Sequence, residues 1–219
     1  MHTFWVDFKT FMWVRYFNFK DLIKTIFHYW RNPKFALVDA TLLLSYFLKS
    51  PYRIAREYND TEPYGETPLT TLDTIIQHCP VNPGDMVYEL GSGRGRASLW
   101  LALYKGYTTV GVEYIPIMAE RAKKIAAFFG IRNVQFRADD ILKTNIEDAN
   151  WVYLFGSALP DESIMKLCTR LEKLKPGTKI ITRSYPLTAY SSSKKFALKS
   201  TLDVEFSWGK TQAFIHSIT

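Results

Sequence analysis

Two textures divide the chain. Along residues 1–57, apolar and aromatic positions recur three and four apart, the spacing of one helical face. Phe4, Phe8 and Phe11 form one series, and Trp5, Met12, Tyr16 and Phe19 another. Asp21 is placed to cap a helix whose Leu22, Ile23, Ile26, Phe27 and Trp30 share one face. Asn32-Pro33 is a capping residue followed by proline at the first helical position, and it opens a helix over 34–48. Ser50-Pro51 repeats the signal for a short helix ending near Tyr58. The aromatic stripe predicts a helical pack lying against the following domain.

From residue 59 the pattern changes. "NDTEPYGETP" is a polar loop, after which Thr67-Pro68 starts a helix with Leu69, Leu72, Ile75 and Ile76 inward, broken by "VNPGD". Short apolar runs then alternate with helical stretches. The strands are 86–90, 109–113, 134–137, 149–155 and 178–184; the helices fall near 96–105, 115–129 and 160–173. Alternating units of this size predict a parallel sheet covered on both faces. The end differs: "TLDVEFSW", a Gly209-Lys210 turn and "TQAFIHSIT" read as an antiparallel hairpin. The expected fold is therefore α/β, a doubly wound seven-stranded sheet, mostly parallel with an antiparallel last strand. A helical extension over 1–58 precedes this domain at 59–219.

Charge sharpens the division. Residues 1–57 carry nine basic and four acidic side chains, against nineteen and seventeen in the remainder. A basic, aromatic segment suits phosphates, anionic lipid heads or an acidic partner, and equally a solvated face over an aromatic core. The most apolar run, "FALVDATLLLSYFL" at 35–48, is fourteen residues long and includes Asp39, whereas a span needs roughly twenty. No secretory pattern is visible at the start. Cys79 and Cys168 form neither a CxxC nor a disulfide framework, and the four histidines show no ligand spacing, so no metal is expected. The setting expected is cytoplasmic, with a peripheral membrane location open through residues 1–58.

The chemistry concentrates in "VYELGSGRGR", Val87 to Arg96, where a strand runs into an acid and three glycines. A dinucleotide fingerprint needs glycines at 91, 93 and 96, but 96 is Arg, and no Gly-Lys-Ser/Thr follows for a Walker loop. Glu89 at the strand end repels phosphate and suits a cationic ligand end such as an α-ammonium group. Glu113 closes the second strand about twenty residues on, placed for ribose hydroxyls. Asp139 and Asp140, after the third strand, offer a carboxylate to an adenine amino group. Acids at the ends of successive strands line the crevice where open α/β sheets bind ligands. Together they point to S-adenosylmethionine. Arg94 is expected at the solvated surface unless it or Arg96 pairs with a nearby acid.

These words resemble a class I S-adenosylmethionine-dependent methyltransferase with its Rossmann-like fold. Residues 64–219 are similar to small archaeal protein lysine methyltransferases and their mitochondrial relatives, through "YGETPLTTLDTII", "GDMVYELGSGRGR", "VGVE" and "LEKLKPGTKIIT". "YGE" is nearer the Dot1-type lysine methyltransferases, where this loop closes over the cofactor. The resemblance implies a cofactor set of Tyr64, Glu66, Thr67, Glu89, Gly91, Ser92, Gly93, Gly95, Glu113, Tyr114, Asp139 and Asp140. It also implies a substrate opening lined by Tyr153, Phe155, Ser157 and Tyr185, and a protein lysine as acceptor. The stretch after strand four, "VYLFGSALPDE", and Arg183-Ser184-Tyr185 depart from the archaeal pattern. Two other readings stay open. One is a small-molecule or lipid methyltransferase with the N-terminal helices as lid or membrane-facing surface; the other is a non-catalytic cofactor- or partner-binding module. No RNA-binding word appears, and nucleic acid is not an expected partner.

Overall fold

A computed structural model describes residues 2–58, 64–154 and 159–219, with side chains from Met12 onward in these ranges. Phe155 and Ser157, and the side chains of Phe4, Trp5, Phe8 and Phe11, lie outside the described residues. The helices are α1 (His2–Arg31), α2 (Pro33–Ser45), α3 (Pro51–Tyr58), α4 (Leu69–His78), α5 (Arg96–Tyr104), α6 (Pro116–Phe128) and α7 (Asp161–Leu171). The strands are β1 (Met86–Leu90), β2 (Thr108–Glu113), β3 (Val134–Ala138), β4 (Trp151–Leu154), β5 (Lys179–Arg183), β6 (Phe196–Phe206) and β7 (Gly209–Ile218).

They form one sheet in the order β3-β2-β1-β4-β5-β7-β6. Neighbours from β3 to β5 pair in parallel; β7 runs antiparallel to both β5 and β6. The order reverses beside β1, which puts a crevice at the carboxyl ends of β1 and its neighbours.

Alternation along the strands splits the core in two. Val87, Trp151, Tyr153 and Ile181 face α4 and α5, together with Val204, Phe206 and Ile215 of the hairpin. Tyr88, Leu90, Val152, Leu154 and Ile180 face the other way, onto Ile164, Leu167 and Leu171 of α7. A third cluster joins Val38, Leu42, Tyr46 and Ile54 to Leu99, Met118, Ala122 and Phe136. Helices α2 and α3 therefore share a core with α5, α6 and β3.

Several local expectations changed. Asp21 caps no helix of its own, because α1 runs unbroken to Arg31; its Oδ1 instead accepts the Thr70 N–H at the start of α4, 3.4 Å away. Asn32 does cap α2, accepting the Phe35 N–H at 3.0 Å, and its Nδ2 donates to the Leu103 carbonyl at 2.7 Å. The hairpin turns at Ser207-Trp208 rather than at Gly209-Lys210, since Phe206 pairs with Gly209 and Glu205 with Lys210. The β6 strand also begins five residues earlier than read, at Phe196. Leu22, Ile23, Ile26, Phe27 and Trp30 do share a face, but it points outward; α1 packs inward through Phe17, Thr25 and His28. The helix is held to the hairpin by Trp13 Nε1 donating to the Phe206 carbonyl at 3.4 Å and by Lys20 bonded to Glu205 at 2.6 Å.

Candidate cofactor-binding site

The loop between β1 and α5 is a tight turn hung from β2. Gly91 and Ser92 both donate N–H to the Val112 carbonyl at 2.9 Å, and Gly95 N–H closes on the Ser92 carbonyl at 2.8 Å. Gly95 caps α5 in the left-handed region at φ 83°. A Cβ there would meet Phe136 at 2.5 Å, so this backbone rests directly on the β3 aromatic ring. At Gly93 a Cβ would meet the Tyr64 hydroxyl at 2.9 Å, which brings the YGETP loop onto the glycines.

That loop is fixed by charge. Arg94, read from sequence as solvated, is buried: its Nε and Nη2 donate to the two Glu66 oxygens at 2.5 and 2.9 Å. Such a bidentate pair fixes orientation as well as distance. The Tyr64 hydroxyl donates to Glu66 Oε1 at 2.7 Å, and burial with the Glu66 charge holds its pKa well above the ordinary phenol value. Thr67 Oγ1 lies 2.7 Å from the Tyr153 hydroxyl in a buried hydrogen bond. Tyr153 sits beside Glu89 in the β1–β4 register. Burial pushes its pKa up, so the phenol stays protonated and keeps its hydrogen bond to Thr67. Arg96, next along, pairs instead with the fully buried Asp39 of α2, which also accepts the Tyr29 hydroxyl at 2.6 Å.

Glu66, Thr67, Glu89, Gly91 and Ser92 line one small cavity with Gly65, Arg94, Arg96 and Ala97. Two features of this cavity fit S-adenosylmethionine. Ser92 Oγ is buried with no hydrogen-bond partner, a polar group left for a ligand. Glu89 is buried and accepts the Ser98 hydroxyl at 2.5 Å; burial, with Glu113 and Glu66 nearby, pushes its pKa up to about 8. An α-ammonium group brought against it supplies the missing counter-charge. Glu113 accepts the Gly93 N–H at 2.7 Å on Oε2 and the Ile115 N–H at 2.9 Å on Oε1. It thus ties the glycine loop to the end of β2.

The outer acids divide. Asp140 turns onto its own loop, with Oδ1 accepting the Leu142 N–H at 2.8 Å, whereas Asp139 accepts only the neighbouring Asp140 N–H, at 2.8 Å, among the contacts described. Tyr114 is exposed and meets Tyr58 edge to face at 5.6 Å. Of the substrate-opening residues, Tyr153 lies on the α4 face and Tyr185 packs against the cluster on the opposite face. Arg183 lies outside the cavity lining. It ends β5 two residues beyond Ile181, its guanidinium 5.0 Å from the Phe206 ring and 5.1 Å from the Trp208 ring.

Glu89 makes a pH prediction. Its folded pKa lies above the ordinary carboxylate value of 4.5, so the ligand-free protein loses stability as pH rises from there through about 8. Pairing with an ammonium requires the ionised form. Affinity for S-adenosylmethionine should therefore climb as pH approaches about 8, then turn over as the ligand's α-amino group itself deprotonates near roughly 7.7–8.0. Titration calorimetry across this range checks it. In Glu89→Gln the rising limb should vanish along with much of the affinity; an unchanged profile removes Glu89 from ammonium binding.

Comparison with known proteins agrees with this geometry. The family model "Histone methylation protein DOT1" matches residues 53–204. A histone-lysine N-methyltransferase, H3 lysine-79 specific, from Caenorhabditis elegans is 28% identical over 160 residues, covering 66% of this chain and 17% of that protein. Protein-L-isoaspartate O-methyltransferase 1 from Rhodopseudomonas palustris (strain HaA2) is 33% identical over 91 residues, 42% of this chain and 34% of that one. The chain thus spans only a minor part of either curated relative's length. Among solved structures, an RNA methyltransferase from Salinibacter ruber in complex with S-adenosyl-L-homocysteine superposes with a TM-score of 0.58 at 28% identity, over 70% of this chain and 94% of that one. With the matched region running through the YGETP loop, the glycine loop and all five parallel strands, the chain belongs to the DOT1 family and is a class I S-adenosylmethionine-dependent methyltransferase.

Proposed function

We propose that this chain methylates the ε-amino group of a lysine in a protein substrate. The observation that carries the reading is the YGETP loop, bound across the glycine turn by Glu66–Arg94 within the region matched by the DOT1 family. S-adenosylmethionine supplies a methyl group on a sulfonium, a good leaving group, so the protein's task is alignment and exclusion of water.

The residues divide that task. In this reading Glu89 and Ser92 take the amino-acid end of the cofactor, and Glu113 and Asp139 its nucleoside. Thr67, locked to Tyr153, forms a rigid rim between the YGETP loop and β4. Lysine has a solution pKa of roughly 10.4 and must react as the free amine. Desolvation at this rim and the positive charge of the sulfonium both favour the neutral form, so no dedicated base is required. Tyr153, with its raised pKa, remains a neutral hydrogen-bond partner throughout.

Incubation with methyl-labelled cofactor and a cell extract tests the reading. Label is expected in protein and, after complete hydrolysis, in methyllysine. Label confined to RNA, lipid or small molecules overturns it.

A further inference from the structure

Helix α1 is apolar on two opposite sides. At about 100° per residue, Met12, Tyr16, Phe19, Ile23, Ile26 and Trp30 fall within about 80° of arc. All six are more than half exposed, Trp30 at 80%. The buried Phe17, Thr25 and His28 lie diametrically across the helix. Helix α2 and the turn after it continue the exposure with Leu37, Leu44, Phe47 and Leu48. Isolated exposed apolar residues are ordinary, but a continuous stripe rimmed by polar groups marks an interaction site.

The rim is cationic. Next to Lys20, which is paired with Glu205, Lys24 and Arg31 follow along one edge of the stripe. Beside it lies a groove of about 700 Å³ lined by Lys24, Phe27, His28, Arg31, Tyr104 and Lys105, with Asp73 its only acid. Lys105 answers Asp73 at 2.7 Å. Lys24 and Arg31 remain exposed at the mouth, and the buried His28 Nδ1 has no hydrogen-bond partner. An apolar stripe rich in Trp, Tyr and Phe, edged by Lys and Arg, is the composition of helices that lie in the plane of a bilayer surface. No described helix is long and apolar enough to cross a membrane.

A second copy of the chain is the competing occupant, because the spacing 12-16-19-23-26-30 is also that of a helix-pair seam. Lys20, beside such a seam, is already engaged by Glu205 of its own chain, and no acid among the described residues flanks the seam to match a base across a symmetric pair. Lys24 and Arg31, exposed beside the stripe, are favourable against acidic headgroups.

We propose that the outward stripe of α1 docks the protein on an anionic lipid surface. The stripe enters the acyl boundary, and Lys24 and Arg31 hold headgroup phosphates at the mouth of the adjoining groove. The docking is independent of which acceptor is methylated.

Flotation of the full chain with vesicles tests this. The wild type should float with phosphatidylcholine vesicles containing phosphatidylglycerol, not with phosphatidylcholine alone, and added salt should weaken the binding. The double substitution Lys24→Gln, Arg31→Gln should bind about thirtyfold more weakly, the loss of two cations at an acidic surface. Ile23→Ser with Ile26→Ser should also release the protein from vesicles. Both variants alter exposed residues and should keep wild-type cofactor affinity, which controls for folding. Absence of flotation, or equal flotation on uncharged vesicles, overturns the proposal. So does a dimer seen by sedimentation equilibrium that Ile23→Ser, Ile26→Ser converts to monomer, since that assigns the stripe to a second copy.

Discussion

Asp39→Ala should destabilise the protein by about 3–5 kcal/mol, the range for removing one partner of a buried ion pair. Asp39 is fully buried, and both its oxygens lie within hydrogen-bonding reach of Arg96 Nε, at 3.1 and 2.9 Å, while Tyr29 donates to Oδ2. Removing it leaves a largely enclosed guanidinium without its counter-charge at the first residue of α5, directly after the glycine loop. At this chain length the loss corresponds to a fall in melting temperature of about 10 °C. Asp39→Asn keeps the shape and one acceptor, and should recover part of the loss. The reciprocal Arg96→Met removes the cation but strands the carboxylate; with Asp39→Leu added it should regain stability over either single change. Thermal or denaturant unfolding reads all four, and a loss under 1 kcal/mol in Asp39→Ala would show the pair to be dispensable.

Gly95→Ala is the second large effect, and here two costs add. At φ 83° an alanine is strained by about 1–2 kcal/mol wherever it sits. Its Cβ would also lie 2.5 Å from Phe136 and 2.9 Å from Ala122, so the loop, β3 or α6 must shift, at about a further 1–3 kcal/mol. Because the Gly93 N–H and the Ser92 hydroxyl ride on the same turn, cofactor affinity should fall more than tenfold. Gly84→Ala separates the two contributions. Gly84 has φ 85° with nothing within 4 Å of an added Cβ, so it should show the strain alone and normal cofactor binding. Equal losses at the two positions would mean that the contact with Phe136 carries no weight.

What was legible in the sequence is what depends on near neighbours in the chain. Strand ends, the proline-led helix starts and the glycine turn follow from residue types within a few positions of one another, and Glu89 and Glu113 are read by their offset from that turn. The misread residues are those whose partners are distant. Asp21 carries a capping signature, yet its partner is the Thr70 amide. Arg94 looks like a solvent residue between glycines until the chain brings Glu66 against it. The direction of the α1 stripe was illegible because the helix offers apolar residues on both sides, and periodicity alone does not rank two faces. Tyr153 and Tyr185 were grouped as one wall. Ser184 at φ 73°, the only non-glycine with positive φ among the described residues, interrupts the strand alternation between Arg183 and Tyr185. Tyr185 therefore turns to the other side.

The anchoring of Trp13 and Lys20 to Phe206 and Glu205 also bears on the order in which the chain is made. Helix α1 is synthesised well before its hairpin partners, which follow 193 residues later in the case of Trp13. Throughout elongation, this part of its inward face has no hairpin to rest on, while the outward stripe is already complete. A nascent chain in that state displays apolar surface on both sides of one helix. Early contact with a lipid surface or a chaperone would shelter it until β6 and β7 arrive.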